Sequence, residues 1–372
     1  MKRRDFLQAV AAGTAAYLPE VARVVEAQEP IPRTAMGICE YSFSASPHTK
    51  STLDFLEYAH ALGAGGVQTG LDKLSPDYVD EVRRRVGELR MYLEVIVGLP
   101  EEGHVDDFER HVIAAKQAGA SCLRSACLGG RRYEDFASLD QWKRFVAASK
   151  DRIALALPIV EKHGIRLGLE NHKDWTASEL VSLLKSYSSE YLGVCLDTGN
   201  NLSLLDDPMD LVQALAPYAV ATHFKDMAVE EYPEGFLLAE VPLGQGFLNL
   251  RRMAEVIRRA NPQIHFSLEM ITRDPLRIPC LTDKYWVTFP ERNGRYLAQM
   301  LRLVREHRPG KPLTQVSGLG RDSRQKLEEE NVRQCLAYAG RELGLEACRR
   351  DQERVGRAPL LRARHGSTSP AC

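Results

Sequence analysis

From Ile31 onward the apolar positions keep a regular beat. Short runs rich in apolar and β-branched residues alternate with longer segments in which apolar residues recur at helical spacing. The runs are Met36–Phe43, Gly65–Leu71, Tyr92–Leu99, Ser121–Leu128, Ile165–His172, Leu192–Asn200, Ala219–Asp226 and His265–Met270. Helical patterns lie between them near 50–62, 75–90, 104–118, 139–163, 176–188, 208–216 and 248–260, and an eighth near 291–307 follows the last run. Gly63, Gly119 and Gly164 stand where helix stops belong, each just ahead of the next run. Strands alternating with helices imply parallel βαβ units, and eight such units close into a barrel. An open doubly wound sheet usually carries a glycine-rich phosphate loop after its first strand, and Met36–Pro47 has none. The expected fold class is α/β, a (β/α)8 TIM barrel with a helical C-terminal extension.

That barrel takes up residues 31–308. Ahead of it, Arg3 and Arg4 are followed by Phe6-Leu7, a weakly apolar stretch from Ala9 to Leu18, and Val25-Glu26-Ala27 as a cleavage site. Residues 1–27 thus resemble a twin-arginine signal peptide. Such a signal implies the twin-arginine translocase as an export partner and a periplasmic location. Beyond the barrel, Gln325–Leu345 reads as one more helix, so 309–348 is expected to be a helical extension. Residues 349–372 carry six arginines against two acids and read as a disordered basic tail.

Composition narrows the function classes. With 372 residues, 44% of them hydrophobic, the chain has material for a large core and is not mainly disordered. A net charge of −1 gives no overall basic field for nucleic acid or anionic lipid. No run of about 18 apolar residues offers a membrane span. The eight cysteines form no CxxC pair and are too sparse for a disulfide-stapled scaffold.

The chemical signal lies at the ends of the last four runs: Leu167-Gly168-Leu169-Glu170, Val194-Cys195-Leu196-Asp197, Ala221-Thr222-His223-Phe224 and Phe266-Ser267-Leu268-Glu269. Side chains alternate between the two faces of a strand. The larger apolar residues of each run can therefore face the helices, while a small residue and then a metal-ligand type face the barrel interior. Four successive strands aim Glu170, Asp197, His223 and Glu269 at the C-terminal mouth, where barrel active sites lie. Three carboxylates buried side by side need a cation. Their donor set, with one imidazole, suits one divalent ion: Mn, Mg, Co or Zn.

The motifs Leu-Glu-Asn-His at 169–172, Leu-Asp-Thr-Gly-Asn at 196–200, His-Phe-Lys-Asp at 223–226, Leu-Gly-Gln-Gly at 243–246 and Leu-Glu-Met at 268–270 resemble the xylose isomerase-like TIM barrel superfamily, the sugar phosphate isomerase/epimerase and AP endonuclease family 2 group. The resemblance covers residues 36–308. It implies that Glu170, Asp197, His223 and Glu269 bind the metal and that Glu170 and Glu269 also transfer protons. It further implies an isomerase or epimerase acting on a sugar or keto-sugar through an enediolate. One departure is Asn200, which stands where many epimerases of the group have histidine.

Further candidates for substrate contact are His172, Asn200, Lys225, Arg124 and Trp286. The long connections 227–246 and 271–290 are expected to shape specificity, with Trp175 and Trp286 as sugar-stacking candidates. Three other functions compete. An exported lyase, dehydratase or hydratase of keto-sugars, glycosides or inositol derivatives would share the same intermediate. A non-catalytic sugar-binding protein would not need the proton-transfer pair. Hydrolysis at abasic DNA is disfavoured by the single ligand set and the lack of a basic stripe, so the expected partners are a small carbohydrate, no nucleic acid, and a second copy of the chain in a homo-oligomer.

Overall fold

Eight strands form the ring, and their register explains why the interior chemistry collects at one end. A computed structural model describes residues 33–346. The expected signal at 1–27 and basic tail at 349–372 lie outside the described residues. Strands β1 (Gly37–Cys39), β2 (Gly66–Thr69), β3 (Tyr92–Ile96), β4 (Cys122–Ser125), β5 (Leu167–Glu170), β6 (Leu192–Asp197) and β7 (Ala219–His223) follow one another in parallel. A hairpin, β8 (Asp226–Tyr232) and β9 (Gly235–Val241), precedes the last barrel strand, β10 (Ser267–Leu268), which pairs in parallel with β1. The ring closes between β7 and β10. There Phe224 N donates to Ser267 O at 2.8 Å, and Glu269 N donates to Phe224 O at 3.3 Å.

Alternation along the strands sorts the side chains as the sequence implies. Leu167, Leu169, Val194, Leu196 and Leu268 are buried in the main core, while Cys122, Cys195 and Ala221 form a separate small cluster. Tyr92 closes the N-terminal end. Its hydroxyl accepts from Gly37 N (3.0 Å) and donates to Phe266 O (3.0 Å), and its ring stacks on His265 with centroids 3.9 Å apart. A Cβ at Gly37 or Gly66 would fall 2.2 or 2.3 Å from Tyr92 atoms, so both positions must be glycine for the ring to sit there.

Seven helices of the outer layer form as expected: Thr52–Ala61, Pro76–Leu89, Val105–Gln117, Leu139–His163, Ala177–Tyr187, Pro208–Leu215 and Leu250–Ala260. The eighth differs. A helix does form at Gly294–Glu306, but it lies against the hairpin, with Arg305 Nε 2.9 Å from Glu231 Oε1. Its Gln299 Nε2 reaches Asp207 Oδ2 at 3.3 Å. The helix that lies along both Leu250–Ala260 and Thr52–Ala61 is Arg321–Leu343. Tyr58 OH donates to its Glu329 (3.1 Å), Arg258 donates to Leu343 O (3.1 Å), and Arg251 pairs with Glu342. Val332, Cys335, Leu336, Ala339 and Leu343 give it a buried stripe at helical spacing. The residues expected as an extension thus complete the outer layer.

The connection 227–246 also differs from a plain loop. It folds into β8 and β9, and β11 (Leu276–Ile278) from the second long connection adds to β9, giving a three-stranded antiparallel sheet above the mouth. The reason is local: Val229, Phe236 and Leu238 are buried around a Pro233-Glu234-Gly235 turn. No helix among the described residues is long and apolar enough to cross a membrane.

Glu328, fully buried, ties the last helix to the ring by accepting from Ser44 N (2.9 Å), Ser44 Oγ (2.7 Å) and Ala45 N (3.0 Å). Glu328→Ala strands those donors and is expected to cost about 2–3 kcal/mol in urea unfolding, whereas exposed Glu330→Ala stays within about 0.5 kcal/mol. Equal effects from the two would contradict an integral role for this helix.

Candidate metal centre

Glu170 ends β5, Asp197 ends β6, His223 ends β7, and Glu269 follows β10 directly. In-register pairing sets Asp197 beside His223, and the closing seam brings Glu269 to the same level. One ligand atom from each of the four lies within 4.8 Å of the others. All four side chains are buried. His223 Nδ1 is 3.3 Å from Glu170 Oε1, 3.2 Å from Glu269 Oε1 and 3.8 Å from Asp197 Oδ2.

The other ring nitrogen decides what Nδ1 offers. His223 Nε2 contacts Gln68 Oε1, and Gln68 Nε2 donates to Glu94 Oε2 at 2.8 Å. A carboxylate accepts only, so the Gln68 amide has one orientation and its oxygen receives the Nε2 proton. Nδ1 then points at three carboxylates without a hydrogen-bond partner of its own. Burial opposes a charged ring, but Cys195, Glu269 and Cys39 outweigh it and raise the His223 pKa well above its ordinary value. The position therefore calls for positive charge, either a proton or a metal ion. A ligating histidine whose second N–H is fixed by an outer partner is the usual arrangement at metal sites. Asp197 repeats the pattern. Its Oδ1 accepts from Gly199 N (2.8 Å) and Asn200 N (2.7 Å), leaving Oδ2 without an aligned hydrogen bond, although the Lys225 ammonium lies 2.8 Å away. The residues present fit a divalent cation.

Cations surround the cluster. Arg124 pairs with Glu170 Oε2, and Lys225 bridges Asp197 Oδ2 and Glu269 Oε2. Burial works against the Lys225 charge, yet Asp197 and Glu269 more than offset it and its pKa is raised. Asn200 Nδ2 donates to Glu170 Oε1 at 2.9 Å, while its Oδ1 accepts from Lys173 Nζ. The His172 ring donates from Nδ1 to Leu128 O at 2.9 Å. Burial, aided by Lys173 and Arg124, holds its pKa well below the usual value, so the imidazole is neutral.

The structure thus gathers Arg124, Asn200 and Lys225 directly onto the four ligands. Trp286 belongs to other contacts. Its Nε1 donates to Cys280 O at 2.9 Å and its ring meets Tyr285 edge-on. Trp175 lies in a buried aromatic group with Trp142 and Phe145. Gln68 and Glu94 were not anticipated, although they pair in register across β2 and β3, Gln68 beside Thr69 in its run and Glu94 among apolar residues in its own. Cys39, whose sulfur shares the space with His223 and Glu269, and Lys173 were missed as well.

The chain belongs to the xylose isomerase-like TIM barrel family, whose profile matches residues 56–306. It is 26% identical over 247 residues to a 3-oxo-isoapionate decarboxylase of Pectobacterium atrosepticum (strain SCRI 1043), covering 63% of this chain and 85% of that one. Among solved structures, D-psicose 3-epimerase in the presence of D-fructose superposes with a TM-score of 0.54 at 16% identity, covering 83% of this chain and 99% of that one. A xylose isomerase-like barrel protein from Mycobacterium smegmatis in complex with magnesium gives a TM-score of 0.51 at 16% identity, covering 72% and 98%. These structural likenesses establish the shared fold.

Gln68 sets which nitrogen of His223 is free. Gln68→Ala is expected to weaken divalent-ion binding about 10- to 100-fold, measured by equilibrium dialysis with Mn²⁺. Affinity equal to wild type would remove Gln68 from the site.

Proposed function

We propose that this protein is a divalent-metal-dependent isomerase or epimerase of a sugar or keto-sugar, working through an enediolate. The observation that carries this reading is the symmetry of the two glutamates. Each presents Oε1 to the cluster, 3.3 and 3.2 Å from His223 Nδ1, and each has its Oε2 tied to a cation. Two carboxylates held alike around one centre suit removal of a proton by one and its return by the other.

Glu170, Asp197, His223 and Glu269 would hold the ion, with Mn, Mg, Co or Zn matching a set of three carboxylates and one imidazole. When bound, it supplies Lewis-acid polarisation of a carbonyl and its neighbouring hydroxyl. The chain's own groups do the rest. One glutamate takes the proton from the carbon beside the carbonyl. His223 and Lys225 outweigh burial and hold the Glu269 carboxyl well below its ordinary range, and Lys225 and Arg124 would offset charge developing on the substrate oxygens. Asn200 and the neutral His172 imidazole supply hydrogen bonds for substrate hydroxyls. Proton return to the opposite face of the same carbon gives the epimer; return to the neighbouring carbon gives the isomer. A lyase is the second reading, favoured by the relative named as a decarboxylase. Breaking the bond between a carboxylate and the carbon beside the same carbonyl releases CO2 and leaves the bond's electron pair in an enolate, which takes up a proton from water relayed by one glutamate.

Elemental analysis of the purified wild type is expected to find about one divalent ion per chain, lost in Asp197→Ala; absence of metal from the wild type would remove the metal-dependent reading. Keto-sugars incubated in D2O should take up deuterium beside the carbonyl. Glu170→Gln and Glu269→Gln should each slow that exchange about a thousandfold. Rates within a few-fold of wild type in either variant would contradict the proton-transfer pair.

A further inference from the structure

The described cysteines are of two kinds. Cys127, Cys280 and Cys335 pack in the main apolar core, and Cys122 and Cys195 form the small apolar cluster. Cys39 is fully buried and belongs to neither. What it meets instead is the metal centre. One donor atom each from Cys39, His223 and Glu269 lie within 4.8 Å of one another, the same spacing that gathers Glu170, Asp197, His223 and Glu269. The two groups share His223 and Glu269, and Cys39 approaches that shared pair from β1.

Strand register puts it there. β1 runs between β10 and β2. Ile38 pairs with Leu268, so Cys39 and Glu269, the next residues on each side, come level, while Cys39 pairs with Gln68 on β2. Ile38 is buried in the main core, and alternation along the strand turns Cys39 to the opposite face, toward the ring interior. Cys39 therefore stands between Glu269 and Gln68, the residue that engages His223 Nε2. With Nε2 taken, the atom that His223 offers to either group is Nδ1, which is buried and without a hydrogen-bond partner.

A sulfur donor at this place changes which ion the site prefers. Carboxylate oxygens suit magnesium, calcium and manganese, whereas a thiolate suits softer ions such as zinc. Zinc lies about 2.3 Å from a thiolate sulfur and about 2.0–2.1 Å from an imidazole nitrogen, so donors gathered within 4.8 Å stand near the spacing that one ion spans.

We infer that Cys39 is a sulfur ligand of this metal centre, beside His223 and Glu269, and that the centre prefers zinc or cobalt to magnesium or manganese. This rests on the reading of Glu170, Asp197, His223 and Glu269 as the metal site. On ligation the S–H bond breaks, its electron pair forms the bond to the ion, and the proton leaves to solvent.

The test is the absorption spectrum of the full-length protein, stripped with EDTA and loaded with Co²⁺. Cobalt in the cluster gives visible d–d bands, and a thiolate ligand adds a sulfur-to-cobalt charge-transfer band in the near ultraviolet. Wild type is expected to show both. Cys39→Ser and Cys39→Ala should keep the visible bands and lose the ultraviolet one. Cys195→Ser, which alters the other sulfur beside His223, should keep both. In competition dialysis Cys39→Ser should weaken Zn²⁺ binding at least about tenfold and Mn²⁺ binding less than about threefold. Visible bands without the ultraviolet band in wild type, or an ultraviolet band that survives in Cys39→Ser, overturn the assignment of Cys39 and leave the four-residue site standing. Equal losses of Zn²⁺ and Mn²⁺ affinity assign Cys39 to packing and overturn it as well. If neither Cys39 variant folds, the wild-type spectrum and that of Cys195→Ser still decide, since a band lost in Cys195→Ser moves the sulfur to the wrong residue. Wild type that binds neither Co²⁺ nor Zn²⁺ overturns the metal site itself, and the inference with it.

Discussion

Packing three carboxylates around one imidazole inside a barrel is the constraint from which most of this structure follows. Two unit charges 4 Å apart interact by about 1 kcal/mol in water and about 4 kcal/mol at an effective dielectric of 20. A cluster whose ligand atoms all lie within 4.8 Å of one another, with its side chains buried, cannot stand without positive charge. The surrounding residues supply it in layers. Arg124 and Lys225 meet the outer carboxylate oxygens, backbone N–H groups of Gly199 and Asn200 meet Asp197, and the Gln68–Glu94 pair turns the His223 lone pair inward. Closing the barrel and assembling the cluster are the same event. The seam bonds run from Phe224 to Ser267 and Glu269, so the chain neighbours of His223 and Glu269 are the residues that seal the ring.

The rest of the fold closes the barrel interior below that cluster and builds a small sheet beside its mouth. Tyr92 fills the N-terminal end of the interior, held by the β1 backbone and by Phe266 O. At the other end the hairpin β8–β9 and strand β11 rise beside the mouth and carry Glu240, which is paired with Arg273. Asp226, where the hairpin begins, accepts from Gly244 N and Gly246 N at 2.9 Å each and folds the Leu-Gly-Gln-Gly segment back. That one side chain fixes the return of the hairpin to the last outer helix.

The strands and the gathering of Glu170, Asp197, His223 and Glu269 were legible because both depend on a period of two. Once Leu167, Leu169, Val194 and Leu196 are assigned to the helix side, Glu170 and Asp197 have nowhere else to point. Spatial order around the ring was less legible. Sequence order places the helix near 291–307 next, but the hairpin offers that helix another apolar surface, and the stripe from Val332 to Leu343 takes the place beside Leu250–Ala260. Gln68 stands beside Thr69 in its run and Glu94 stands among apolar residues in its own, and only the register between β2 and β3 makes them a pair. Trp286 illustrates the opposite difficulty. An indole in a long connection reads as a sugar platform or as packing with equal ease, and only its bond to Cys280 O shows which neighbours it has.

Under the proposed function, the four-residue cluster would set the kind of intermediate and the surrounding walls its fate. Glu170 and Glu269 are nearly equivalent with respect to His223, so the cluster has no built-in preference for where a proton comes from or returns. Preference must come from whatever holds the substrate against one glutamate rather than the other. The walls are unequal. On the β4–β5 side Glu170 faces Arg124, a guanidinium that stays charged, together with Asn200 and the neutral His172. Beside Glu269 stands Lys225, a buried point charge shared with Asp197. A planar guanidinium on one side and a buried ammonium shared by two carboxylates on the other make the two sides of the cluster unequal where its four residues alone do not. Under the proposed function, the choice between proton return and bond cleavage therefore rests on these walls and not on the four residues of the cluster.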